Sequence, residues 1–303
     1  MKVKPTVTLA TSAYNEEANI STFLHSVIAQ IEEGFILEKI LVISDGSTDE
    51  TVKIAKSFNR HKIIVKNYRQ RMGKSMRLNG IYASLTSDIL VQSDCDIVFG
   101  HERVVRDLIK PLIKNPDIGM CGGNPHPVQG ETYIEKAINY MNEIFINFRD
   151  SVNVFSADGR LLAYKKELVK KIKIPKDMIA NDVYTYYCCL TLGYRYKFVK
   201  SAVVYFRSPQ TLNDHIKQNI RFSATSQRMK KYFDQNLINK ETFIPRLVIY
   251  RKIISQLIKH PFPFVMIYFI SKYCQYMAKK NERKLSAIWD IAYTTKTIKV
   301  NYD

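Results

Sequence analysis

Two aspartates separated by one residue follow an apolar run: Asp94 and Asp96 flank Cys95 shortly after residues 89–91. On an extended or turning backbone, carboxylates at positions i and i+2 can both reach one hard cation, such as Mg²⁺ or Mn²⁺, which prefers oxygen ligands and bridges well to a diphosphate. Such an ion neutralises negative charge on a departing group. The alternative is a solvated acidic turn. The pattern therefore favours a metal site at Asp94 and Asp96.

Two further carboxylates, Asp45 and Asp182, lie at the end of a predicted strand and at the start of a predicted helix, where ligand binding or acid–base catalysis is expected. Asp45 opens the sequence Asp45-Gly46-Ser47-Thr48-Asp49 after the apolar run 39–44. A carboxylate there can accept hydrogen bonds from a base or a ribose, although a turn and a helix cap also account for the residues that follow it. Asp182 stands at the predicted start of a helix, where the helix dipole favours a negative charge. It either caps that helix or acts as a general base on an attacking hydroxyl.

These polar residues need strands to position them. Residues 7–10, 39–44, 63–65 and 89–91 are short apolar runs, and helical stretches over 16–31, from 48 onward and over 72–84 alternate with them. This alternation predicts a mainly parallel sheet covered by helices on both faces. Ligands of such sheets bind beyond the carboxyl ends of the strands. We therefore expect three segments to meet in one crevice: Tyr14-Asn15-Glu16, Asp45-Gly46-Ser47 and Asp94-Cys95-Asp96.

Taken in order, these residues resemble the family-2 glycosyltransferases, which share the GT-A fold, over about residues 5–230. The matching segments are Ser12-Ala13-Tyr14-Asn15-Glu16-Glu17, Asp45-Gly46-Ser47-Thr48-Asp49-Glu50-Thr51, Gly73-Lys74 with Leu78-Asn79-Gly80, Asp94-Cys95-Asp96 and Asn181-Asp182. The resemblance implies an α/β, Rossmann-like GT-A domain over 1–235, with a nucleotide-binding half over about 1–100 and an acceptor-binding half over about 100–235. It also implies an inverting, metal-assisted transfer, with Mn²⁺ or Mg²⁺, from a nucleotide-sugar donor that is most commonly a UDP-sugar.

The resemblance assigns a role to each matching residue. Ser12, Tyr14, Glu16 and Asp45 would hold the nucleoside of the donor, and Lys74 would lie near its phosphates. Asp94 and Asp96 would bind the sugar-nucleotide and the metal. Asp182 would be the general base, although Asn181 stands where the family usually has an acidic residue.

A shorter resemblance lies in a basic helix predicted over 209–233. Gln218-Asn219-Ile220-Arg221-Phe222 is similar to the Gln-x-x-Arg-Trp motif of membrane-embedded polysaccharide synthases, with Phe222 in place of Trp. An arginine here can pair with a diphosphate, and an aromatic ring can stack on an acceptor sugar. The alternative is a basic surface helix. Processive synthases carry several membrane spans, whereas this chain has one doubtful span at most, so we expect a non-processive transferase.

The net charge of +18 lies entirely in the second half, because residues 1–150 are neutral and residues 151–303 carry +18. Residues 236–303 are predicted to form a basic, amphipathic helical extension that associates with a membrane. For its apolar segment over 261–278, three interpretations are open: a helix in the membrane interface, a buried or oligomer-forming helix, and a single span or re-entrant hairpin. The basic residues favour an anionic membrane surface as a partner.

The N-terminus lacks the apolar run of a signal peptide, and five scattered cysteines indicate reduced thiols. We therefore expect a peripheral or monotopic enzyme at the cytoplasmic face of a membrane. Its expected acceptor is lipid-linked or a saccharide, and no nucleic acid is expected as a partner. Two other classes remain open, namely a nucleotidyltransferase acting on sugar phosphates and a basic nucleic-acid-binding protein.

Overall fold

The computed structural model describes residues 3–60, 62–146, 154–243, 246–288, 293–295 and 298. Within these residues, eight strands form one sheet: β1 (Thr6–Ala13), β2 (Ile36–Asp45), β3 (Ile63–Tyr68), β4 (Ile89–Ser93), β5 (Ile97–Phe99), β6 (Ile118–Pro127), β7 (Leu161–Lys165) and β8 (Arg195–Phe206). The helices of the same residues are α1 (Ile20–Ile28), α2 (Thr51–Ser57), α3 (Lys74–Ser84), α4 (Val104–Lys114), α5 (Tyr133–Ile146), α6 (Lys166–Val169), α7 (Asn181–Thr191), α8 (Leu212–Met229), α9 (Gln235–Glu241), α10 (Arg246–Lys259) and α11 (Pro261–Asn281).

The sheet is parallel in its first half and mixed in its second. Its strand order is β3-β2-β1-β4-β7-β6-β8-β5. Strands β3, β2, β1 and β4 run parallel, as the alternation of strands and helices predicted. Strand β7 runs antiparallel to both of its neighbours, β4 and β6. The start of β7 therefore lies at the same edge as the end of β4, and Leu161 is paired with Ser93.

Helices cover both faces of the sheet, as predicted. On one face, α1 and α4 bury Phe23, Leu24 and Leu108 against the strands. On the other face, α3 and α7 bury Tyr82 and Tyr186. Because β1, β4 and most of β2 are buried on both sides, they are continuous apolar runs, which is why the sequence located them.

The C-terminal helices α10 and α11 pack on α5 and α8. Ile267 of α11 lies against Ala137 and Ile138 of α5, and Ala278 lies against Ala224 of α8. The predicted apolar segment is thus a helix with one face buried against the protein. In the part of the chain that the structure describes, no helix combines the length and apolar character that a membrane crossing requires.

A buried arginine joins the end of α11 to the body of the protein. Arg228 of α8 is paired with Glu282, and their side chains are 2% and 3% exposed. The Arg228 guanidinium also donates hydrogen bonds to the main-chain oxygens of Glu282, at 2.9 Å, and of Asp177. Asp177 lies in the segment that leads into α7. One guanidinium therefore ties α8, the end of α11 and the approach to α7 together.

Candidate active site

The loops that follow β1 and β2 are joined by hydrogen bonds at the sheet edge. The main-chain N–H of Asn15 donates to Ser47 Oγ at 3.1 Å, and the N–H of Thr48 donates to Asn15 Oδ1 at 2.9 Å. The N–H of Glu16 donates to Thr51 Oγ1 at 2.7 Å. The predicted meeting of the first two polar segments is therefore confirmed, although the donor-binding roles of Ser12, Tyr14 and Glu16 stay predictions.

The carboxylate of Asp45 holds the loop over residues 69–73. It accepts hydrogen bonds from the N–H groups of Met72, at 3.0 Å, and Gly73, at 2.8 Å, and from Arg77 Nε at 2.6 Å. The side chains of Asp45 and Arg77 are each only 7% exposed. Asp45 therefore positions this loop in the ligand-free structure, and a contact from it to a nucleoside stays a prediction.

The same loop places Arg71 against the ring of Tyr14, with the guanidinium carbon 3.7 Å from the ring centroid. A cation in this position is attracted by the ring face. A nucleobase stacked on that face of Tyr14 would occupy the same space. The sequence signalled Tyr14 through its motif, but nothing in the spacing of the chain pointed to Arg71.

Gly46 is required for the close approach of this loop to the end of β2. Its φ is +83°, and a Cβ atom there would lie 3.0 Å from the main-chain nitrogen of Arg71. A left-handed backbone alone costs a residue with a Cβ atom about 1–2 kcal/mol. We expect Gly46→Ala to lower the free energy of unfolding by more than this amount, because of the added contact. We also expect it to weaken nucleotide binding, because the loop is displaced. Gly34→Ala is the matched control, because Gly34 has φ +81° and no atom of the described residues lies within 4 Å of its Cβ position. Urea unfolding and nucleotide titration compare the two variants, and equal losses of stability would contradict the contact.

Lys74, at the start of α3, interacts with three of the predicted carboxylates, with Asp94 directly and with Asp182 and Asp96 through their charge. Its ammonium group is paired with Asp94, and the two side chains are 24% and 30% exposed. Burial alone would lower the pKa of Lys74, but Asp94, then Asp182 and Asp96, raise it above its ordinary value. The third polar segment and Asp182 therefore share one electrostatic environment with the start of α3.

Asp182 lies in the first turn of α7, where its carboxylate accepts two main-chain hydrogen bonds. Gly159 N–H donates at 3.1 Å and Val183 N–H at 2.9 Å. Burial, and then the charge of Asp158, raises the pKa of Asp182 above its ordinary value, while the two N–H groups and Lys74 oppose that rise. A carboxylate with a raised pKa near a charged crevice is suited to take up a proton.

A loop that sequence reasoning missed completes this cluster. Arg160 is paired with Asp158 at 2.9 Å, lies 3.7 Å over the ring of Phe206, and accepts a hydrogen bond from Asp94 N–H on its carbonyl oxygen at 3.1 Å. Burial would lower the pKa of Arg160, but Asp158, Asp96 and Asp94 raise it. The segment precedes β7, and a search of strand ends overlooks it because β7 is antiparallel and brings its start to this edge.

The Gln-x-x-Arg segment lies on α8, which extends over Leu212–Met229, within the predicted basic helix. Arg221 donates to the main-chain oxygen of Ser286 at 2.8 Å, and Phe222 is 55% exposed. Two residues beyond Ser286, the Ile288 side chain lies 3.2 Å from the Cβ position of Gly73. Arg221 is thus linked to the loop over 69–73 through the segment after α11, and the acceptor or diphosphate roles of Gln218, Arg221 and Phe222 stay predictions.

Asp94 and Asp96 fit a hard divalent cation that takes the rest of its coordination shell from ligands other than protein side chains. Among the described residues, no three or more His, Cys, Asp or Glu side chains are grouped so that they could hold a metal ion. Mg²⁺-type sites commonly use one or two carboxylates together with substrate phosphate oxygens. The Lys74 ammonium already lies beside Asp94, so this position accommodates a positive charge.

Comparison with known proteins places Asp45, Lys74, Asp94 and Asp96, but not Asp182, within a region that matches a family model. Residues 8–173 match the model of glycosyl transferase family 2. Poly-beta-1,6-N-acetyl-D-glucosamine synthases of Staphylococcus aureus are similar, with 26% identity over 226 residues, which cover 72% of this chain and 53% of the relative. A synthase of the same name from Staphylococcus epidermidis is 25% identical over 221 residues. The chain thus spans about half the length of the curated relatives it matches.

Solved structures share the fold at low sequence identity. A mannosyltransferase from Pyrobaculum calidifontis, solved with GDP-Man and Mn²⁺, has a TM-score of 0.67 at 16% identity and covers 93% of this chain and 88% of its own. Glucosyl-3-phosphoglycerate synthase from Mycobacterium tuberculosis, solved with Mn²⁺, UDP and phosphoglyceric acid, has a TM-score of 0.55 at 18% identity, with 75% and 78% coverage. The expected GT-A fold is confirmed.

Proposed function

Since this chain belongs to glycosyl transferase family 2, and is a glycosyltransferase, we propose that it transfers a sugar with inversion from a nucleotide-sugar donor to a hydroxyl group. The observation that carries the proposal is the position of Lys74, which is paired with Asp94 and shares its environment with Asp182 and Asp96. A donor diphosphate needs positive charge beside its phosphates, which Lys74 supplies. An acceptor hydroxyl needs a carboxylate that removes its proton, which Asp182 supplies. The acceptor is lipid-linked or a saccharide, and it is met at the cytoplasmic face of a membrane.

In this proposal, Asp182 removes the proton of the acceptor hydroxyl. The Gly159 and Val183 N–H groups fix its carboxylate in one orientation, so the base does not have to be ordered when the acceptor arrives. Inversion in a single displacement needs the base on the side opposite the leaving diphosphate. Asp182 belongs to α7, whereas Asp94 and Asp96 follow β4, so base and diphosphate site come from separate elements.

Asp94 and Asp96 would hold the divalent ion, Mn²⁺ or Mg²⁺, together with the donor diphosphate. When bound, the ion supplies positive charge that offsets the charge developing on the leaving nucleotide. Lys74 supplies a second positive charge at the same edge, and Arg160 lies close enough to Asp94 and Asp96 to have its pKa raised by them. These two side chains bind and orient the phosphates by charge-assisted hydrogen bonds.

A panel of donors tests the proposal directly. Tight binding to the folded state raises the melting temperature by mass action. We expect one of the UDP-, GDP- or dTDP-sugars to raise it in the presence of Mn²⁺ or Mg²⁺, and UDP is the first nucleotide to try. Transfer is then measured as release of the nucleoside diphosphate with saccharide and polyprenyl-phosphate acceptors. If no nucleotide-sugar raises the melting temperature with either metal, the proposal fails.

Asp96→Ala tests the metal assignment. We expect this variant to lose the part of the nucleotide affinity that depends on Mn²⁺, because one of the two carboxylates is removed, while the fold is kept. Calorimetric titration of UDP and GDP with and without Mn²⁺ measures that part. Asp117→Ala is the matched control, since Asp117 is an exposed aspartate before β6. If Asp96→Ala binds with the same dependence on Mn²⁺ as the native chain, Asp96 is not a ligand of the ion.

A further inference from the structure

Helix α11 has two apolar faces, and only one of them is packed. Phe264, Ile267, Cys274 and Ala278 are buried towards the protein. The other face is exposed and continues at intervals of three or four residues, so that its side chains form one stripe along the helix. Its members are Phe262 (81% exposed), Val265 (45%), Phe269 (66%), Tyr273 (50%) and Tyr276 (63%).

Helix α10 also carries exposed apolar side chains, at intervals of four residues. Tyr250, Ile254 and Ile258 are 56%, 55% and 76% exposed, respectively. Gln256 donates to Glu143 Oε2 of α5 at 3.0 Å, and the ring of His260 stacks on Tyr140 of α5 at 3.5 Å, so α10 is fixed against the body. We call these eight side chains, five of α11 and three of α10, the outer face. A row of exposed apolar side chains such as the α11 stripe marks a site of interaction.

The sequence of the segment that forms the two helices is strongly basic. Residues 246–284 contain nine lysines and arginines and one acidic residue, Glu282. Glu282 is buried in its pair with Arg228, so it does not offset that charge at the surface. Lys272, next to Tyr273 of the stripe, is exposed, with its Nζ 5.5 Å from the centroid of the Tyr268 ring. The partner must therefore present apolar groups beneath a negatively charged layer.

We propose that the outer face docks on the surface of a bilayer that contains anionic phospholipids, with α10 and α11 lying along it. Phenylalanine and aliphatic side chains enter the acyl boundary, tyrosines lie at the level of the head groups, and lysines and arginines contact phosphates. Because the inner face of α11 is packed on α5 and α8, the helix keeps its contact with the protein in this docked state. The purpose of docking, access to a membrane-bound acceptor, rests on the proposed function.

A second copy of the chain fits this surface less well than a bilayer. Two outer faces brought together would oppose their own lysines and arginines, and like charges in an interface are destabilising. An anionic bilayer complements the same charges. We therefore expect the chain to remain a monomer through the concentration range in which it binds vesicles.

Vesicle flotation of the full chain tests the docking. We expect capture by phosphatidylglycerol-containing vesicles, weaker capture by pure phosphatidylcholine, and release at high salt, because screening removes the electrostatic part. Phe262→Ser combined with Phe269→Ser is expected to lower the partition coefficient by about tenfold or more, since two large apolar side chains no longer enter the bilayer. Ile113→Ser combined with Leu192→Ser is the matched control, because both residues are exposed but lie on α4 and after α7.

Three outcomes overturn the docking: no capture of the native chain, equal capture of both double variants, or a native dimer that Phe262→Ser with Phe269→Ser converts to a monomer in sedimentation velocity. Nucleotide-induced stabilisation is measured on every variant and is expected to be unchanged, which also shows that each is folded. If a nucleotide stabilises the native chain but vesicles do not capture it, the docking is rejected and the proposed function is left intact. Vesicle capture without stabilisation by any nucleotide rejects the proposed function and leaves the docking intact.

Discussion

Asp182→Asn lowers kcat for glycosyl transfer by about 10²–10⁴-fold while nucleotide-sugar affinity stays at its native value. This is the expected result for loss of a general base. The amide keeps the size of the side chain and one of the two main-chain hydrogen bonds that the carboxylate accepts from Gly159 and Val183. Single-turnover transfer and calorimetric titration of the donor separate the two effects. Asp117→Asn, at an exposed position, is the control.

The pH profile of the native chain gives an independent readout of the same base. Burial and the charge of Asp158 raise the pKa of Asp182, so its basic form is lost at a higher pH than for an ordinary aspartate as the medium is acidified. The acid limb of kcat/KM is therefore expected above the usual aspartate range, and it should be missing from residual transfer by Asp182→Asn. Loss of donor binding in a folded Asp182→Asn variant would instead make Asp182 a donor ligand.

Arg228→Met is expected to lower the free energy of unfolding by about 3–5 kcal/mol, because it leaves the Glu282 carboxylate buried without its main partner. Burial alone would raise the pKa of Glu282, but hydrogen bonds from Arg228 and Lys231 lower it, which indicates that this carboxyl is held in its charged form. In the double variant Arg228→Met with Glu282→Leu, the unpaired buried carboxylate is removed. We expect this variant to recover part of the lost free energy of unfolding. Urea unfolding measures both variants.

Lys231→Met is the control for this pair. Lys231 contacts the same carboxylate at 3.1 Å but is 45% exposed, so its removal is expected to cost about 0–1 kcal/mol. Equal losses for Arg228→Met and Lys231→Met would show that the buried pair adds nothing beyond a surface contact. Failure of the double variant to recover any stability would show that the guanidinium acts mainly through the carbonyl oxygens of Asp177 and Glu282.

The first half of the fold and the places of Asp45, Asp94 and Asp96 at the ends of strands were predictable because both depend on local patterns. The apolar runs at 7–10, 39–44, 63–65 and 89–91 became β1 to β4, and the polar segments after β1, β2 and β4 lie at one edge, as expected. Asp182 was placed correctly in the first turn of a helix. Parallel strands make such inference reliable, since their carboxyl ends share one side of the sheet.

The parts that could not be predicted depend on contacts between distant segments. Arg160 reaches the site because β7 is antiparallel, and strand direction is not encoded in an apolar run. Arg228 and Glu282 are 54 residues apart and look like ordinary surface charges in the sequence. The hydrogen bonds of Asp45 to the loop over 69–73 were not expected, because the path of that loop depends on the glycine at position 46. The contact of Asp45 to a nucleoside stays a prediction. The boundary at residue 235 stays a prediction.

The Arg228 network has a consequence for which acceptors can be used. Asp177 lies five residues before Asp182. The Arg228 guanidinium, which binds the Asp177 carbonyl oxygen, is also paired with Glu282, the first residue after α11. For a chain docked as we propose, the carboxylate of Asp182, the proposed base, is then held at a fixed distance from the lipid head groups. The reacting hydroxyl of an acceptor must extend over that distance from the bilayer. The length of its polar head, more than the nature of its hydrocarbon tail, would then decide whether it is glycosylated.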